Sequence, residues 1–382
     1  MNQACWTPSP NTGFLMAPDP IEDLSAIDHP LDAGAVAELL DKARSLPALI
    51  EAGAIRYDLQ AMPVFDMASI AEVTDLRITE RLFQIYAHFA NAFVWCDQKD
   101  PAAFIPKSVA APLVQLSKFV ERPPIVPYAS TALSNFQRLD PNGRHELGNL
   151  RCIQKMVDIQ DESWFHLIHV EIEAHAGEAI FALLDAAQKA EKDDIAGVEA
   201  GLSKVPPVFG EMIASFRRIT EQCDTNVYYH TLRPYLFGFD AIVYEGVEEF
   251  RGRPMKFTGE TGAQSSVIPT IKALIGLAHS HGGLTEDLES MKAYMPKPHR
   301  ALLAEIDPKA IRSFVERSGT PNLREVYNLC LESIVDFRSL HLKMAHAFIA
   351  QKVKDPRGTG GTDFMKWLSL LRDEAAEQMI TA

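Results

Sequence analysis

A single histidine interrupts the apolar face of a predicted helix near the C-terminal end of the chain. The residues that share this face with His341, at steps of three and four, are Leu323, Val326, Cys330, Ile334, Phe337, Met344 and Phe348. An imidazole buried among them needs partners for its nitrogens, because an unpaired polar group is costly in apolar surroundings. A structural hydrogen bond is the commoner solution. The other is a metal such as the iron of haem, whose porphyrin is a large apolar plate. The pattern alone leaves both open, and it places His346 on the solvated face.

A second group of titratable residues lies within ten residues of another predicted helix. Its members are His166, His169, Glu171, Glu173 and His175. Some of them are four residues apart and share a helix face, but the Glu-x-x-His spacing of carboxylate-bridged di-iron bundles is absent. We therefore expect ordinary charge pairing on a helix surface here, not a second metal site. The sequence also has no GxGxxG, P-loop or GxSxG motif, which excludes the common nucleotide and serine-hydrolase sites.

Helical spacing of apolar residues dominates the elements that must position these groups, so the fold class is predicted to be all-α. The candidate helices span residues 33–53, 68–96, 164–190, 207–222, 265–281, 284–293 and 322–353. For the helix that carries His341, Asn322 followed by Glu325 indicates a capping box at its start.

Two irregular segments divide the helical pattern. The prolines of segment 122–128 exclude it from a helix interior, and we interpret it as an extended connection. This gives a small helical domain (1–121), a connecting segment (122–145) and a larger helical domain (146–382), although a buried strap inside one domain would have a similar sequence. Segment 355–363 is rich in glycine, which predicts a mobile loop.

Composition narrows the classes of partner and the compartment. The 382 residues carry 37 Lys and Arg against 51 Asp and Glu, a formal charge of −14, so nucleic acid is not an expected partner. No apolar window reaches membrane-spanning length and the N-terminus does not resemble a secretory signal, so we expect a cytoplasmic protein without membrane contact. The scattered cysteines, which lack metal-site spacing, are expected to be reduced and mostly buried thiols: Cys5, Cys96, Cys152, Cys223 and Cys330.

Several segments together resemble the indoleamine 2,3-dioxygenase family. Ser339-Leu-His-Leu342 is similar to the family's surroundings of the proximal haem ligand, and segment 358–363 to its flexible C-terminal loop. Segment 257–266 resembles the Gly-rich stretch beside the haem, and segment 228–233 resembles part of the distal pocket. Further similar stretches are 123–128, 243–246 and 295–300. The resemblance extends from about residue 115 to the end, whereas the N-terminal hundred residues match only in helical character.

The resemblance implies a role for particular residues. His341 is the implied axial ligand of haem b, and Gly262 and Ala263 lie beside the cofactor. An alignment through segment 170–172 places Ser163 and Leu167 in the distal wall, where mammalian members carry an aromatic residue and a serine, and His166 lies one position from this wall. The implied substrate-binding residues are Ser163, Leu167, Tyr228, Arg233, Thr261, Gly262 and Thr359. Tyr228 replaces a phenylalanine, Arg233 is expected near a substrate carboxylate, and Thr359 borders the substrate.

These residues imply a haem dioxygenase that opens the indole ring of tryptophan or a related indoleamine at C2–C3 with O2, giving N-formylkynurenine. The implied partners are a small indole, O2 and an unidentified reductant, with the chain acting as a monomer. The altered wall residues leave open a related enzyme acting on another substituted indole. A non-catalytic haem or oxygen sensor, and a helical protein without any cofactor, are the remaining alternatives.

Overall fold

The computed structural model describes residues 4–278, 282–353, 358–359 and 364–381, and helices dominate it. It is 63% helical with a few short strands, which confirms the all-α prediction. The α-helices are α1 (Ala33–Glu51), α2 (Ile55–Ala61), α3 (Leu76–Trp95), α4 (Lys107–Val120), α5 (Gln160–Ala190), α6 (Ile195–Leu202), α7 (Val205–Arg217), α8 (Ile219–Gln222), α9 (Thr225–Val227), α10 (Val267–Ile275), α11 (Gly282–Met291), α12 (Lys297–Glu305), α13 (Ala310–Ser318), α14 (Pro321–Phe348) and α15 (Phe364–Glu377).

Shorter elements connect these helices. Two π-helical turns occur at Ala129–Leu133 and Tyr228–Leu232. The strands are β1 (Phe104–Ile105), β2 (Gln137–Arg138), β3 (Leu150–Arg151), β4 (Phe239–Tyr244) and β5 (Met255–Phe257). A three-stranded sheet has the order β1-β4-β5, with β1 parallel and β5 antiparallel to β4, while β2 and β3 form a separate antiparallel pair. The β4–β5 hairpin leads directly into the Gly-rich segment 257–266 and fixes where that segment begins.

The predicted helices occur, with corrected ends. The helix predicted over residues 68–96 begins only at Leu76, because the Asp75 side chain accepts the Arg77 amide (2.9 Å) and caps it there. The predicted helix 207–222 is two helices, α7 and α8. The helix predicted over residues 265–281 ends at Ile275, because Gly276 adopts φ +76° and stops it. The last predicted residues of that helix, 279–281, lie outside the described part of the chain.

The capping box predicted for the helix that carries His341 is wrong. Thr320 is the N-cap of α14 and forms no side-chain capping bond, and Pro321 is the first helical residue. Proline suits this position because its fixed φ favours the helix and the first turn needs no amide donor. The side-chain amide of Asn322 instead donates a hydrogen bond to the Glu199 carboxylate on α6 (2.6 Å). The helix also ends earlier than predicted, at Phe348.

Three apolar cores organise the molecule. The N-terminal core is formed by α1–α4 and also includes residues of β4 and Tyr294. The C-terminal core is formed largely by α5–α8, α10, α13 and α14. A small core lies around Trp6, Leu15, Leu133 and Leu167. Since the N-terminal core draws residues from both sides of the connecting segment, the division into two domains stays a prediction.

The Pro-rich segment 122–128, the first part of the connecting segment, is not a helix interior, as predicted. It contains a tight turn, in which the Ile125 amide donates to the Pro123 carbonyl (2.9 Å), and it is largely buried. Ile125 and Val126 are fully buried in the N-terminal core. The Asn91 side chain on α3 accepts the Val126 amide (3.4 Å) and donates to the Tyr235 carbonyl (2.8 Å). One buried amide thus satisfies backbone groups of two segments that no helix can pair. The segment delivers Tyr128 to the interior of the molecule.

The N-terminal turn approaches the middle of α5 very closely. Gly13 has φ +56°, and a Cβ atom at this position would lie 2.0 Å from the Glu173 carbonyl oxygen. On the other side of the contact, a Cβ on Gly177 would lie 2.7 Å from the Gly13 amide nitrogen. Glycine is therefore required at both positions, by the backbone angle at Gly13 and by the close approach at both.

Replacing Gly13 with alanine is expected to destabilise the protein by about 2–6 kcal/mol, because backbone strain and overpacking each cost about 1–3 kcal/mol. Gly53→Ala is the matched control, since Gly53 also has positive φ (+64°) but its Cβ would meet no atom within 4 Å. Urea unfolding of both variants measures the difference in the free energy of unfolding. Equal losses in the two variants would show that the close approach to Glu173 costs nothing.

The cysteines are free thiols, as predicted. Cys5, Cys152, Cys223 and Cys330 are buried and Cys96 is half-buried. Burial raises the pKa of each of the four buried thiols to about 12, so they are protonated and unreactive at neutral pH. Within the described ranges, no helix is both long and apolar enough to cross a membrane.

Candidate active site

His341 projects from α14 into aromatic surroundings without a hydrogen-bond partner. Its ring centroid lies 5.8 Å from that of Phe216, and it forms no hydrogen bond with any residue that the structure describes. Loss of hydration, followed by the neighbouring His169 and Arg338, lowers the pKa of His341 to about 4. The imidazole is therefore neutral at physiological pH, with a lone pair available to a metal ion. The structural hydrogen bond considered from the sequence is not formed with any residue in the described ranges.

The donor set around His341 suits haem better than a bare metal ion. No group of three or more His, Cys, Asp or Glu residues in the described part of the chain is placed to hold a metal ion. A haem iron needs only an axial ligand from the protein, because the porphyrin supplies the other nitrogens. His346 is exposed, as predicted, and lies 3.4 Å from the Gln351 amide.

One face of α5 carries Phe165, His169 and Glu173, each four residues from the next. The Phe165 ring lies 4.8 Å from the Tyr228 ring and 4.7 Å from the His169 ring. Tyr128, delivered by the connecting segment, lies 5.9 Å from His169 and donates its hydroxyl hydrogen bond to Glu173 (3.0 Å). Three separated segments of the chain thus meet along this face.

His169 is held in a defined tautomer. Its Nδ1 lies 2.7 Å from the Phe165 carbonyl oxygen, which can only accept, so Nδ1 carries the proton. Burial lowers the pKa of His169, which favours the neutral ring. Nε2 is then the nitrogen with a free lone pair, and His169 is close enough to His341 for the two rings to interact electrostatically.

The structure brings Tyr228 into this cluster, and it packs Leu167 in the small core that also contains Tyr128. Tyr228 contacts Phe165 and also Phe348 of α14 (5.6 Å). Leu167 is buried in the small core, and the Ser163 carbonyl lies 3.9 Å from the Cys152 sulfur. Two residues correspond to about 200° around a helix, so the alignment that selected Ser163 and Leu167 points to the face opposite Phe165 and His169.

The charge-pairing interpretation of residues 166–175 is wrong for most of them. Glu171 is buried and accepts the Leu147 amide (2.8 Å), and His166 is buried with its pKa lowered to about 3 by desolvation, then by His169 and His88. Only His175 forms a surface pair of the expected kind, with Glu211 (3.2 Å). The helix is buried because the C-terminal core packs on one side of it and the small core on another.

The Gly-rich segment 257–266 is fixed between the connecting segment and the C-terminal loop. The Gln264 side chain accepts the Tyr128 amide (2.8 Å) and donates to the Gly259 carbonyl (2.9 Å). Thr359 donates its hydroxyl to the Glu260 carbonyl, and its own carbonyl accepts the Gly238 amide (3.2 Å). Of the Gly-rich loop predicted over residues 355–363, the structure describes only 358–359. Thr359 forms the two contacts just given.

Within this segment, the three predicted lining residues border open space. Thr261 accepts the Ala263 amide (3.4 Å) with its hydroxyl and caps a short turn. Gly262 and Ala263 are exposed, and a Cβ at Gly262 would meet no atom within 4 Å. The backbone at this point leaves room for a bulky group.

Arg233 is buried near the contact between Thr359 and Gly238. Its guanidinium lies over the rings of Phe237 (4.9 Å) and Tyr229 (5.3 Å), and Phe237 directly precedes the glycine that binds Thr359. Burial lowers the pKa of Arg233 from its usual value, but the side chain remains charged at neutral pH. A buried cation next to the loop is suited to binding an anionic group.

The sequence analysis missed two buried carboxyl groups in this region. Glu173 is 1% exposed, and its Oε1 accepts Tyr128 and Ser265 (2.5 Å), while Oε2 has no partner. Glu260 is 5% exposed and accepts one long hydrogen bond, from Thr131 (3.5 Å). Burial raises the pKa of each to about 7. Two features of the sequence could have indicated these carboxyl groups. Glu173 lies four residues after His169, on the same helix face, and Glu260 is the single acidic residue between Gly259 and Gly262.

Comparison with known proteins identifies the family. The family model for indoleamine 2,3-dioxygenase matches residues 4–357. Indoleamine 2,3-dioxygenase 1 of Rattus norvegicus is 28% identical, with 93% of each chain covered. The indoleamine 2,3-dioxygenase of Saccharomyces cerevisiae is 27% identical, covering 96% of this chain and 91% of the yeast protein. A 6-hydroxytryptophan 2,3-dioxygenase of Fusarium equiseti is 25% identical, covering 88% and 89%.

The chain therefore belongs to the indoleamine 2,3-dioxygenase family, whose members are haem-dependent dioxygenases that act on indoles. The match begins at residue 4, so the likeness reaches further towards the N-terminus than the sequence motifs indicated. Trp6 belongs to this N-terminal stretch, and its indole nitrogen donates to the buried Glu80 (2.8 Å).

Proposed function

We propose that this protein is a haem b dioxygenase that opens the indole ring of tryptophan or a ring-substituted derivative. Both atoms of O2 add to the substrate, one at C2 and one at C3 of the indole, and the C2–C3 bond breaks. Two carbonyl groups result, so tryptophan gives N-formylkynurenine. The observation that carries this proposal is the neutral His341 imidazole, which lies in aromatic surroundings without a hydrogen-bond partner among the described residues.

The residues present fit a haem group. His341 would ligate the iron, Phe216 and Phe348 would contact the apolar plate, and the open backbone at Gly262 and Ala263 would accommodate its edge. Haem, when bound, supplies the activation of dioxygen. The chain itself would contribute aromatic side chains around the substrate and one imidazole nitrogen of His169 that can accept a hydrogen bond.

The substrate's two ends match different parts of the site. Phe165 and Tyr228 provide aromatic faces for a flat indole ring. Arg233 provides a planar pair of donors for the carboxylate of an amino acid. Thr359, held by the Glu260 carbonyl, would bring the C-terminal loop over the substrate. Closure of this kind excludes water while the ring is opened.

We further propose that Phe165 and His169 line the distal side of the site. The assignment of Ser163 and Leu167 to the distal wall stays a prediction from the sequence. The indole N–H is the only hydrogen-bond donor on an unsubstituted ring, and Nε2 of His169 is an acceptor because Nδ1 carries the proton. His169 would therefore orient the ring by accepting this hydrogen bond. It is a positioning contact, and it requires no proton transfer.

His169→Ala is expected to lower kcat/KM for tryptophan by roughly 10-fold, since a neutral hydrogen bond contributes about 0.5–1.5 kcal/mol. The effect should be much smaller for 1-methyltryptophan, which lacks the ring N–H. Leu167→Ala is a control on the same helix, and its kcat/KM should retain the preference for the N–H substrate. Steady-state kinetics of the haem-loaded wild type and variants measure kcat/KM for tryptophan and for 1-methyltryptophan. A loss in His169→Ala that is equal for the two substrates would contradict this contact.

The proposed function is tested by turnover. Haem-loaded protein, reduced and exposed to air, should convert tryptophan or one of its ring-hydroxylated derivatives to the corresponding formylkynurenine, detected by mass spectrometry. Absence of any such product, from a preparation whose Soret band shows bound haem, would refute the proposal. The reductant and the monomeric state predicted from the sequence stay predictions.

A further inference from the structure

Glu260 is buried, and its backbone is fixed on both sides. Its amide donates to the Leu236 carbonyl (3.0 Å), and its carbonyl accepts the Thr359 hydroxyl. Its carboxyl interacts electrostatically with both Tyr128 and Tyr228, and adds to the burial that raises the pKa of each phenol. The carboxyl therefore lies beside Thr131 and near Tyr228, whose ring the proposed function places against the substrate.

The two carboxyl groups here have unused acceptor capacity. A carboxyl offers about four lone-pair positions. Glu260 accepts one hydrogen bond, whose 3.5 Å length exceeds the usual range for a hydroxyl donor. The Oε2 atom of Glu173 is buried and accepts none. Neither carboxyl forms an ion pair with a Lys or Arg in the described part of the chain.

Buried acceptors without donors are unfavourable, and the contacts that fix the backbone of Glu260 do not involve its carboxyl. Glu260 lies between glycines in a segment whose fixed points are backbone groups and Gln264. A smaller or apolar side chain would leave those contacts unchanged. A ligand that brings its own donor to this place would restore the missing hydrogen bonds.

We propose that Glu260, with Glu173 beyond the shared Tyr128, is a specificity-determining acceptor for a hydroxyl or amino group on the benzo ring of the substrate. The preferred substrate is then a ring-hydroxylated or ring-aminated tryptophan, and unsubstituted tryptophan leaves the acceptors unpaired. This inference rests on the proposed function and names its substrate class. Sites built to bind a donor discriminate strongly against analogues that lack it.

Binding measurements test this class directly. The dissociation constants of tryptophan and of its isomers hydroxylated at each benzo-ring position are measured on the ferric haem-loaded protein, from the change in the Soret band. At least one hydroxylated isomer should bind about 10-fold or more tightly than tryptophan. In Glu260→Ala this preference should fall to within about 2-fold. Glu260→Gln, which keeps a carbonyl acceptor, should retain part of it.

Two controls separate specificity from folding. Thr131→Val removes the only donor to Glu260 among the described residues and should preserve the hydroxyl preference. Thermal melting and the Soret band should be unchanged in Glu260→Ala. If Glu260→Ala loses haem, the test uses the wild-type protein and Glu260→Gln instead. The wild type should then bind a hydroxylated isomer more tightly than tryptophan, and Glu260→Gln should show a smaller preference.

The outcomes also separate this inference from the proposed function. If haem-loaded protein opens no indole at all, the proposed function fails. If it opens tryptophan and binds no hydroxylated isomer more tightly, only the acceptor site is refuted. A hydroxyl preference that persists undiminished in Glu260→Ala would likewise overturn the assignment to Glu260.

Discussion

His341→Ala is expected to abolish stable haem binding. His341 is the ligand that α14 offers the iron, and no group of three or more His, Cys, Asp or Glu residues among the described residues could hold a metal ion instead. Loss of residues that merely support a metal ligand costs about 10–100-fold in affinity, so loss of the ligand should cost more than about 100-fold. Titration of the apoprotein with haem, followed at the Soret band, measures this change.

Two further variants define what the His341 result means. His346→Ala alters the exposed histidine on the other side of the same helix and should leave the titration unchanged. His341→Gly supplied with free imidazole should recover the band, because the cavity then admits the missing ligand. A Soret band of unaltered position and affinity in His341→Ala would exclude this residue as the ligand.

Arg233→Ala is expected to raise KM for an amino acid substrate by roughly 10- to 150-fold, because a hydrogen bond between charged groups contributes about 1.5–3 kcal/mol. The change in kcat should be small, since the carboxylate lies far from the bond that breaks and the contact is made equally before and during reaction. Steady-state kinetics with the preferred substrate measure both constants, and the Soret band confirms that haem is retained.

The substrate itself provides the control for Arg233. Tryptamine lacks the carboxylate, so its KM should be similar in the wild type and in Arg233→Ala. Arg233→Lys keeps the charge but loses the planar pair of donors, so its KM for tryptophan should lie between those of the wild type and of Arg233→Ala. An unchanged KM for tryptophan in Arg233→Ala, or an equal rise for tryptamine, would remove the carboxylate role from this residue.

The sequence predicted helix α14 well because that helix has one polar and one apolar side. Its stripe from Leu323 to Phe348 defines the buried face without any knowledge of neighbours, and His341 is conspicuous within it. The N-terminus of the helix was predicted less well. Asn322 satisfied the pattern of a capping box, but its side chain is engaged by Glu199 on a helix more than a hundred residues away in sequence.

The face of α5 was not predictable in the same way. The C-terminal core packs against Ile168 and the small core against Leu167, while Phe165 and His169 face the aromatic cluster. A helix buried on several sides has no polarity pattern that distinguishes one face from another. The sequence therefore could not decide which face of α5 borders the site, and the assignment of Ser163 and Leu167 stays a prediction.

Glu260 was missed for a different reason. An acidic residue in a Gly-rich segment is usually a solvated loop residue, and only the three-dimensional structure shows that Tyr128, Thr131 and Thr359 enclose it. Its burial depends on contacts with segments about a hundred residues away on either side. No local pattern in the sequence carries that information.

The origin of the product's oxygen atoms is the most direct test of a dioxygenase. Haem-loaded protein, reduced and given its indole substrate under isotopically labelled O2 in unlabelled water, is analysed by mass spectrometry of the product at early times. Ring opening as proposed should place both labelled oxygen atoms in each formylkynurenine molecule. A product with one labelled atom or none would contradict dioxygenase chemistry at the His341 site.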